Sequence, residues 1–229
     1  MSIFKTVRLA CPSCGEGVDF QAVSSVNADR APHLRQQIVD ETFQREECAA
    51  CGTSFRLAPS FSLIDHGRES WIAVLPATER GEWPEHEKAA AASFERAYGP
   101  GASPNIRKIG GTIRRRLTFG WAGIREKLVA QDLHLDDLTL ELTKMALLRS
   151  SGSAPVGAST ELRLLGGDAT RLAFGWLLSG DESLVEGLEV ERAAYDEIAA
   201  DAGGDWAELR ADFDGALFVD MGRLTIATA

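Results

Sequence analysis

Four cysteines occur in the 229-residue chain, as two pairs of equal spacing: Cys11-Pro12-Ser13-Cys14-Gly15 and Cys48-Ala49-Ala50-Cys51-Gly52. A Cys-x-x-Cys turn brings two thiolates to one side of the backbone. The residue after the second cysteine often needs a positive φ, which glycine adopts without steric penalty. Pro12 additionally stiffens the first turn. Two such knuckles opposed across a small sheet make a closed tetrahedral site with metal–sulfur distances of about 2.3 Å. Cys11, Cys14, Cys48 and Cys51 are therefore the expected ligands of one structural Zn2+, with iron the alternative metal for a tetrahedral sulfur site. Four sulfur ligands leave no open position for water or substrate, so no residue is assigned a catalytic or cofactor-binding role. A redox dithiol is not expected. That chemistry calls for one Cys-x-x-Cys ahead of a helix, whereas each pair here adjoins strand-like sequence.

Short strands must position these ligands. Val18, Phe20 and Ala22 alternate with polar neighbours, as do Phe55 and Leu57, which is the period of a strand with one buried face. Phe61 to Asp65 and Trp71 to Leu75 flank His66-Gly67-Arg68-Glu69 and read as a hairpin, with Gly67 the residue suited to a positive φ. The spacer of 33 residues between Cys14 and Cys48 is long for a zinc ribbon. Within it Pro32 to Val39 reads as an inserted helix, with Pro32 in the first turn and Leu34 and Ile38 on one face.

From about Pro84 the period becomes helical. Ala89 to Ala92, Phe94 and Ala97 predict a helix ending near Gly99, followed by a breaker-rich loop to Pro104. A second helix is expected from near Trp121, aligning Trp121, Ile124 and Leu128. A third follows Asp136 as N-cap, with Leu135 and Leu140 as a staple and Leu138, Leu142 and Met145 as the buried stripe. Ser150 to Gly157 reads as a linker. Beyond it, Leu162 to Leu165, Phe174 to Leu178 and Ala216 to Val219 read as strands and Arg192 to Ala200 as a helix. Arg116 to Trp121 and Arg171 to Trp176 share five of six residues, a coincidence of glycine beside aromatics unless both segments dock like pockets across an oligomer interface. The expected fold is α+β: a zinc-ribbon-like antiparallel module with an inserted helix over residues 1–80, a helical continuation over 81–150, and an acidic mixed α/β region over 151–229.

The two cysteine motifs, the long spacer, and downstream Glu126-Lys127-Leu128, Asp136-Asp137 and Glu141-Leu142-Thr143-Lys144 together resemble the CpXC family of bacterial and archaeal proteins. The resemblance covers roughly residues 8–148, with Cys-Ala-Ala-Cys where the second motif would typically be Cys-Pro-x-Cys. It implies a metal-binding cysteine quartet and brings no catalytic residues.

Composition narrows the function classes. With 45% hydrophobic and 25% charged residues the chain is expected to fold throughout. Its net charge of -10 is uneven: residues 1–80 carry 8 basic and 10 acidic side chains, 81–150 carry 11 and 9, and 151–229 carry 5 and 15. The acidic last third would repel phosphate backbones. A basic stretch, Arg107, Lys108 and Arg114 to Arg116 with Arg125 and Lys127 nearby, is the one candidate nucleic-acid face, with Phe119 or Trp121 to stack bases. A solvated or internally paired surface accounts for it more cheaply. Asp136 and Asp137 are explained by capping and the helix dipole. His33, His66, His86 and His134 have no partner at ligand or triad spacing and read as surface or packing residues, and Gly166-Gly167-Asp168 lacks the rest of a phosphate loop. The N-terminus lacks secretory-signal features and no apolar run suits a membrane span, which leads to the expectation of a cytoplasmic protein. The expectation overall is a non-catalytic zinc-binding scaffold or adaptor with protein partners, a second copy of the chain being one candidate, and no membrane partner. The alternatives are nucleic-acid binding through Arg114 to Arg116, and an enzyme with a site in the C-terminal third.

Overall fold

Strand β1 (Ile3–Ala10) turns through the first cysteine knuckle into β2 (Gly17–Asn27), and the two pair antiparallel from Ala10 opposite Gly17 back to Ile3 opposite Ser25. In the computed structural model, residues 2–150, 160–201 and 203–226 are described. The chain divides into two units, Met1–Arg80 with Lys88–Trp121, and Gly81–Glu87 with Ala122–Ala229. The architecture is α+β.

In the first unit β2 continues parallel to β5 (Phe61–Asp65), β5 pairs antiparallel with β6 (Ser70–Leu75), and β6 pairs parallel with β7 (Arg114–Phe119). The sheet order is β1-β2-β5-β6-β7. The second knuckle sits on a separate antiparallel ribbon, β3 (Arg45–Glu47) with β4 (Ser54–Arg56). Between the ribbons lies α1 (Pro32–Val39), with Pro32 in its first turn and Leu34 and Ile38 buried, as the sequence leads one to expect. The antiparallel ribbon therefore carries the cysteines, while the sheet as a whole is mixed. The expected β5–β6 hairpin is present, but its reversal is made differently. A 3-10 turn occupies His66–Arg68, Asp65 accepts a hydrogen bond from the Arg68 amide at 3.1 Å, and the left-handed residue is Glu69 (φ 49°), not Gly67.

Phe20, Val26, Leu63, Ile72, Val74 and Leu117 form the centre of this unit, each at most 1% exposed. At one side Phe43, Phe61 and Trp121 meet with ring centroids 5.7–5.9 Å apart. Trp121 Nε1 donates to Leu57 O at 3.0 Å, and Arg56 lies 3.7 Å over the Trp121 ring. Helix α2 (Trp83–Tyr98) contributes Phe94, edge-on to Trp71 and stacked on Tyr98. The loop after Tyr98 leads into α3 (Pro104–Gly110), where any Cβ at Gly110 would come within 2.6 Å of the Tyr98 Cβ. Residues 114–119, within the stretch expected to be helical, form β7 because they add to the edge of β6.

The second unit holds most of α4 (Gly120–Asp132), then α5 (Asp137–Ser150), an antiparallel sheet of order β10-β9-β8, and α6 (Arg192–Ala200), α7 (Ala207–Asp212) and α8 (Gly222–Ile226). The strands are β8 (Thr160–Gly167), β9 (Arg171–Leu178) and β10 (Leu184–Glu191). Asp136 caps α5, accepting the Thr139 amide at 2.9 Å. The stripe on α5 differs from expectation. Leu142 is fully buried while Leu138 and Met145 are half-buried, and burial extends to Asp137, Glu141 and Lys144. Ala216 to Val219 is not a strand: the Leu217 and Phe218 amides donate to Glu87 Oε1 at 2.7 and 2.9 Å, so a carboxylate takes the place of a neighbouring strand. The two echoed hexapeptides also differ. Arg116 to Trp121 runs from β7 into α4 through Gly120 at φ 73°, whereas Arg171 to Trp176 lies within the central strand β9 with Trp176 buried. The expected linker lies, from Ser151 on, outside the described residues. Among the described residues no helix is long and apolar enough to cross a membrane.

Candidate metal centre

Both knuckles have the same hydrogen-bonded frame. In the first, the Cys11 amide donates to Glu16 O at 2.7 Å and the Gly15 amide returns to Cys11 O at 2.9 Å. In the second, the Cys48 amide donates to Thr53 O at 2.9 Å and the Gly52 amide to Cys48 O at 2.8 Å. Gly15 (φ 78°) and Gly52 (φ 72°) hold the left-handed position that their sequence places suggest. In each pair the first cysteine is buried and the second exposed.

The two frames bring the sulfurs together across the pairs. Cys11 Sγ is 3.7 Å from Cys51 Sγ, Cys14 Sγ is 3.6 Å from Cys48 Sγ, and all four lie within 4.8 Å of one another. Ligands about 2.3 Å from a tetrahedral metal are separated by about 3.8 Å. The spacing and the donor set thus fit one metal ion, and among the described residues these four make up the group placed to hold one.

The thiols of Cys14 and Cys51 are pushed in opposite directions. The Thr53 hydroxyl and amide, with help from the neighbouring thiols, lower Cys51 to about 6. Cys14 receives a lowering hydrogen bond from the Glu16 backbone, but the crowding of Cys51 and Cys48 outweighs it and pushes Cys14 up to about 12. A divalent cation removes this conflict by neutralising the thiolates it binds.

The other residues singled out from sequence are not gathered into one site. Arg107 and Lys108 lie on α3 and Arg114 to Arg116 on β7. Arg115 pairs with Glu95 at 3.5 Å and lies over Phe94, while Arg116 donates to the Arg115 carbonyl. His66 does have a partner that spacing did not reveal: its Nδ1 is 2.9 Å from Asp29 Oδ2 and its Nε2 3.2 Å from the Tyr98 hydroxyl. Asp29 also accepts the His66 and Gly67 amides. Burial opposes its ionisation, but those two amides and the His66 ring hold it below the usual carboxylate range.

The feature that sequence reasoning missed is a buried ion network in the second unit. Lys144 Nζ contacts Glu126 at 3.1 Å and Glu141 at 2.8 Å; Arg163 contacts Glu126 at 2.9 Å, Asp220 at 2.7 Å and Glu161; Lys127 contacts Asp137 at 3.0 Å. The backbone is bound into it, with Leu164 N donating to Glu126, Met221 N to Glu141, and Lys127 donating to Val219 O. Burial works against the charge on Glu126, yet Lys144, Arg163 and Lys127 keep its carboxyl below the ordinary range. Glu141 goes the other way: burial, reinforced by Glu126 and Asp220, raises it despite Lys144. The available signal was charge inside an apolar pattern, Glu126 and Lys127 lying between Ile124 and Leu128, and Glu141 and Lys144 beside Leu142. Each of these charges answers another charge of the same network.

An α+β fold with two matched knuckles and a converging sulfur quartet defines a four-cysteine protein equipped to hold a metal ion. The chain belongs to the CpXC protein family, whose family model matches residues 9–144. No curated protein and no solved structure matches it. The matched range takes in both knuckles and the part of the ion network from Glu126 to Lys144.

Proposed function

We propose that the protein is a non-catalytic, zinc-stapled scaffold or adaptor in a larger assembly. Cys11, Cys14, Cys48 and Cys51 would bind one Zn2+, fixing the ribbons β1–β2 and β3–β4 against each other and leaving surrounding surfaces for protein partners. The supporting observation is the closed quartet of sulfurs within 4.8 Å, which uses every tetrahedral position on protein ligands. The buried charges Glu126, Glu141 and Lys144 agree with this reading, since they are sealed from solvent and contact one another through Lys144. Affinity purification from the protein's own host, with wild type and Cys14→Ser in parallel, tests it. A reproducible set of proteins lost with Cys14 is expected; recovery of nuclease-sensitive nucleic acid in their place would contradict it.

A further inference from the structure

Among the described residues, β1 in the order β1-β2-β5-β6-β7 and β10 in the order β10-β9-β8, each of eight residues, end their sheets with no further strand beside them. Such an edge presents unpaired N–H and C=O groups and is a template for another strand unless guarded. Both strands also expose apolar side chains at the same end, Ile3 (56%) and Phe4 (50%) in β1, and Leu184 (58%) and Val185 (50%) in β10.

The two strands have the same profile of exposure along their length, and their charges are opposite in kind. β1 reads Ile-Phe-Lys-Thr-Val-Arg-Leu-Ala and carries two basic residues. β10 reads Leu-Val-Glu-Gly-Leu-Glu-Val-Glu and carries three acidic ones. Laid side by side in parallel, first residue to first, Lys5 faces Glu186, and Arg8, which pairs with Asp19 at 3.4 Å in its own chain, faces Glu189, which pairs there with Arg171 at 3.0 Å. Val7 and Leu9 then face Leu188 and Val190, and Ile3 and Phe4 come beside the Leu184–Val185 end, where β10 carries a bulge. Facing residues in a sheet point to the same side, so both faces of the joint would be matched.

We propose that β1 of one copy adds to β10 of a second copy in this parallel register, so that the chain assembles with itself head to tail. Like-to-like pairing of β1 with β1, or of β10 with β10, would oppose charges of one sign. Each copy would offer one β1 and one β10, so the contact can close on itself in a ring of two or more copies or repeat as an open chain. Opposite-charge pairs on an exposed edge also make the assembly sensitive to salt. The inference stands on the strand edges and not on the identity of the metal.

The test is the mass of the intact chain in solution, by light scattering and sedimentation over a range of concentration and salt, with three variants. Lys5 and Glu186 are both solvent-exposed, so charge reversal there leaves the core alone. Wild type is expected to associate with itself as concentration rises, and Lys5→Glu to weaken association by about tenfold, the sum of a lost pair and a new repulsion. Lys5→Glu/Glu186→Lys is expected to restore it. A wild type that stays monomeric throughout, or association indifferent to Lys5→Glu, would overturn the proposal. So would rescue by Lys5→Glu/Glu189→Lys instead, because that pairing belongs to the antiparallel register.

Discussion

Lys144 Nζ lies 2.8 Å from Glu141 Oε1, one turn away on α5, and both side chains are sealed from solvent. Burying such a pair costs desolvation that the attraction must offset, and removing one partner leaves the other charge stranded. Lys144→Met is therefore expected to lower the unfolding free energy by about 3–5 kcal/mol, read from urea titration. Lys144→Met/Glu141→Leu should be less destabilised than the single variant. A single variant within experimental error of wild type would remove the network from the account of stability.

Glu141 also predicts a pH effect. Its carboxyl is raised in the folded state, so its contribution favours folding below the unfolded value near 4.5 and is lost as pH rises through the folded value. Glu141→Gln stays neutral and does not suffer that loss. Its stability relative to wild type should rise with pH across this window, in denaturant titrations at a series of pH values; a constant difference would be contrary.

Asp29 has the opposite sign. Its carboxyl is depressed by burial-opposed hydrogen bonds from the His66 and Gly67 amides and the His66 ring, so its contribution is present above the usual value of 3.8 and fades as pH falls below it. Asp29→Ala is expected to cost about 1.5–3 kcal/mol at neutral pH, the scale of hydrogen bonds to a charged acceptor. The gap from wild type should close in acid, as checked by thermal unfolding.

Glu87 holds residues 217–223 through the Leu217 and Phe218 amides and a 2.9 Å pair with Arg223. Glu87→Ala should speed hydrogen exchange at those two amides by at least about tenfold, the equivalent of one lost hydrogen bond to a charged group. Unchanged exchange would mean that burial alone holds the segment.

The cysteine centre was the most legible part of the molecule in sequence, because a knuckle is a local structure: its spacing, its glycine and its flanking strands all lie within a few residues. The same locality made Pro32 to Val39, Arg192 to Ala200 and the Asp136 cap readable. What failed was non-local. The pairing of β7 with β6 joins distant segments, and Ala216 to Val219 has the apolar content of a strand but takes Glu87 as its partner. The ion network draws on residues from 126 to 220, and each of its members, taken singly, looks like a surface charge. Asp137 illustrates this: beside Asp136 it reads as part of a cap, yet it pairs with Lys127 at 3.0 Å.

Elemental analysis of the purified intact chain beside its Cys14→Ser variant bears most directly on the cysteine centre. One zinc per wild-type chain is expected, with stoichiometric metal absent from the variant and its melting temperature lowered, because binding on the order of 10 kcal/mol is coupled to folding of the ribbons. A wild-type chain without bound metal, or a Cys14→Ser variant that is equally stable without it, would contradict a metal-stapled centre.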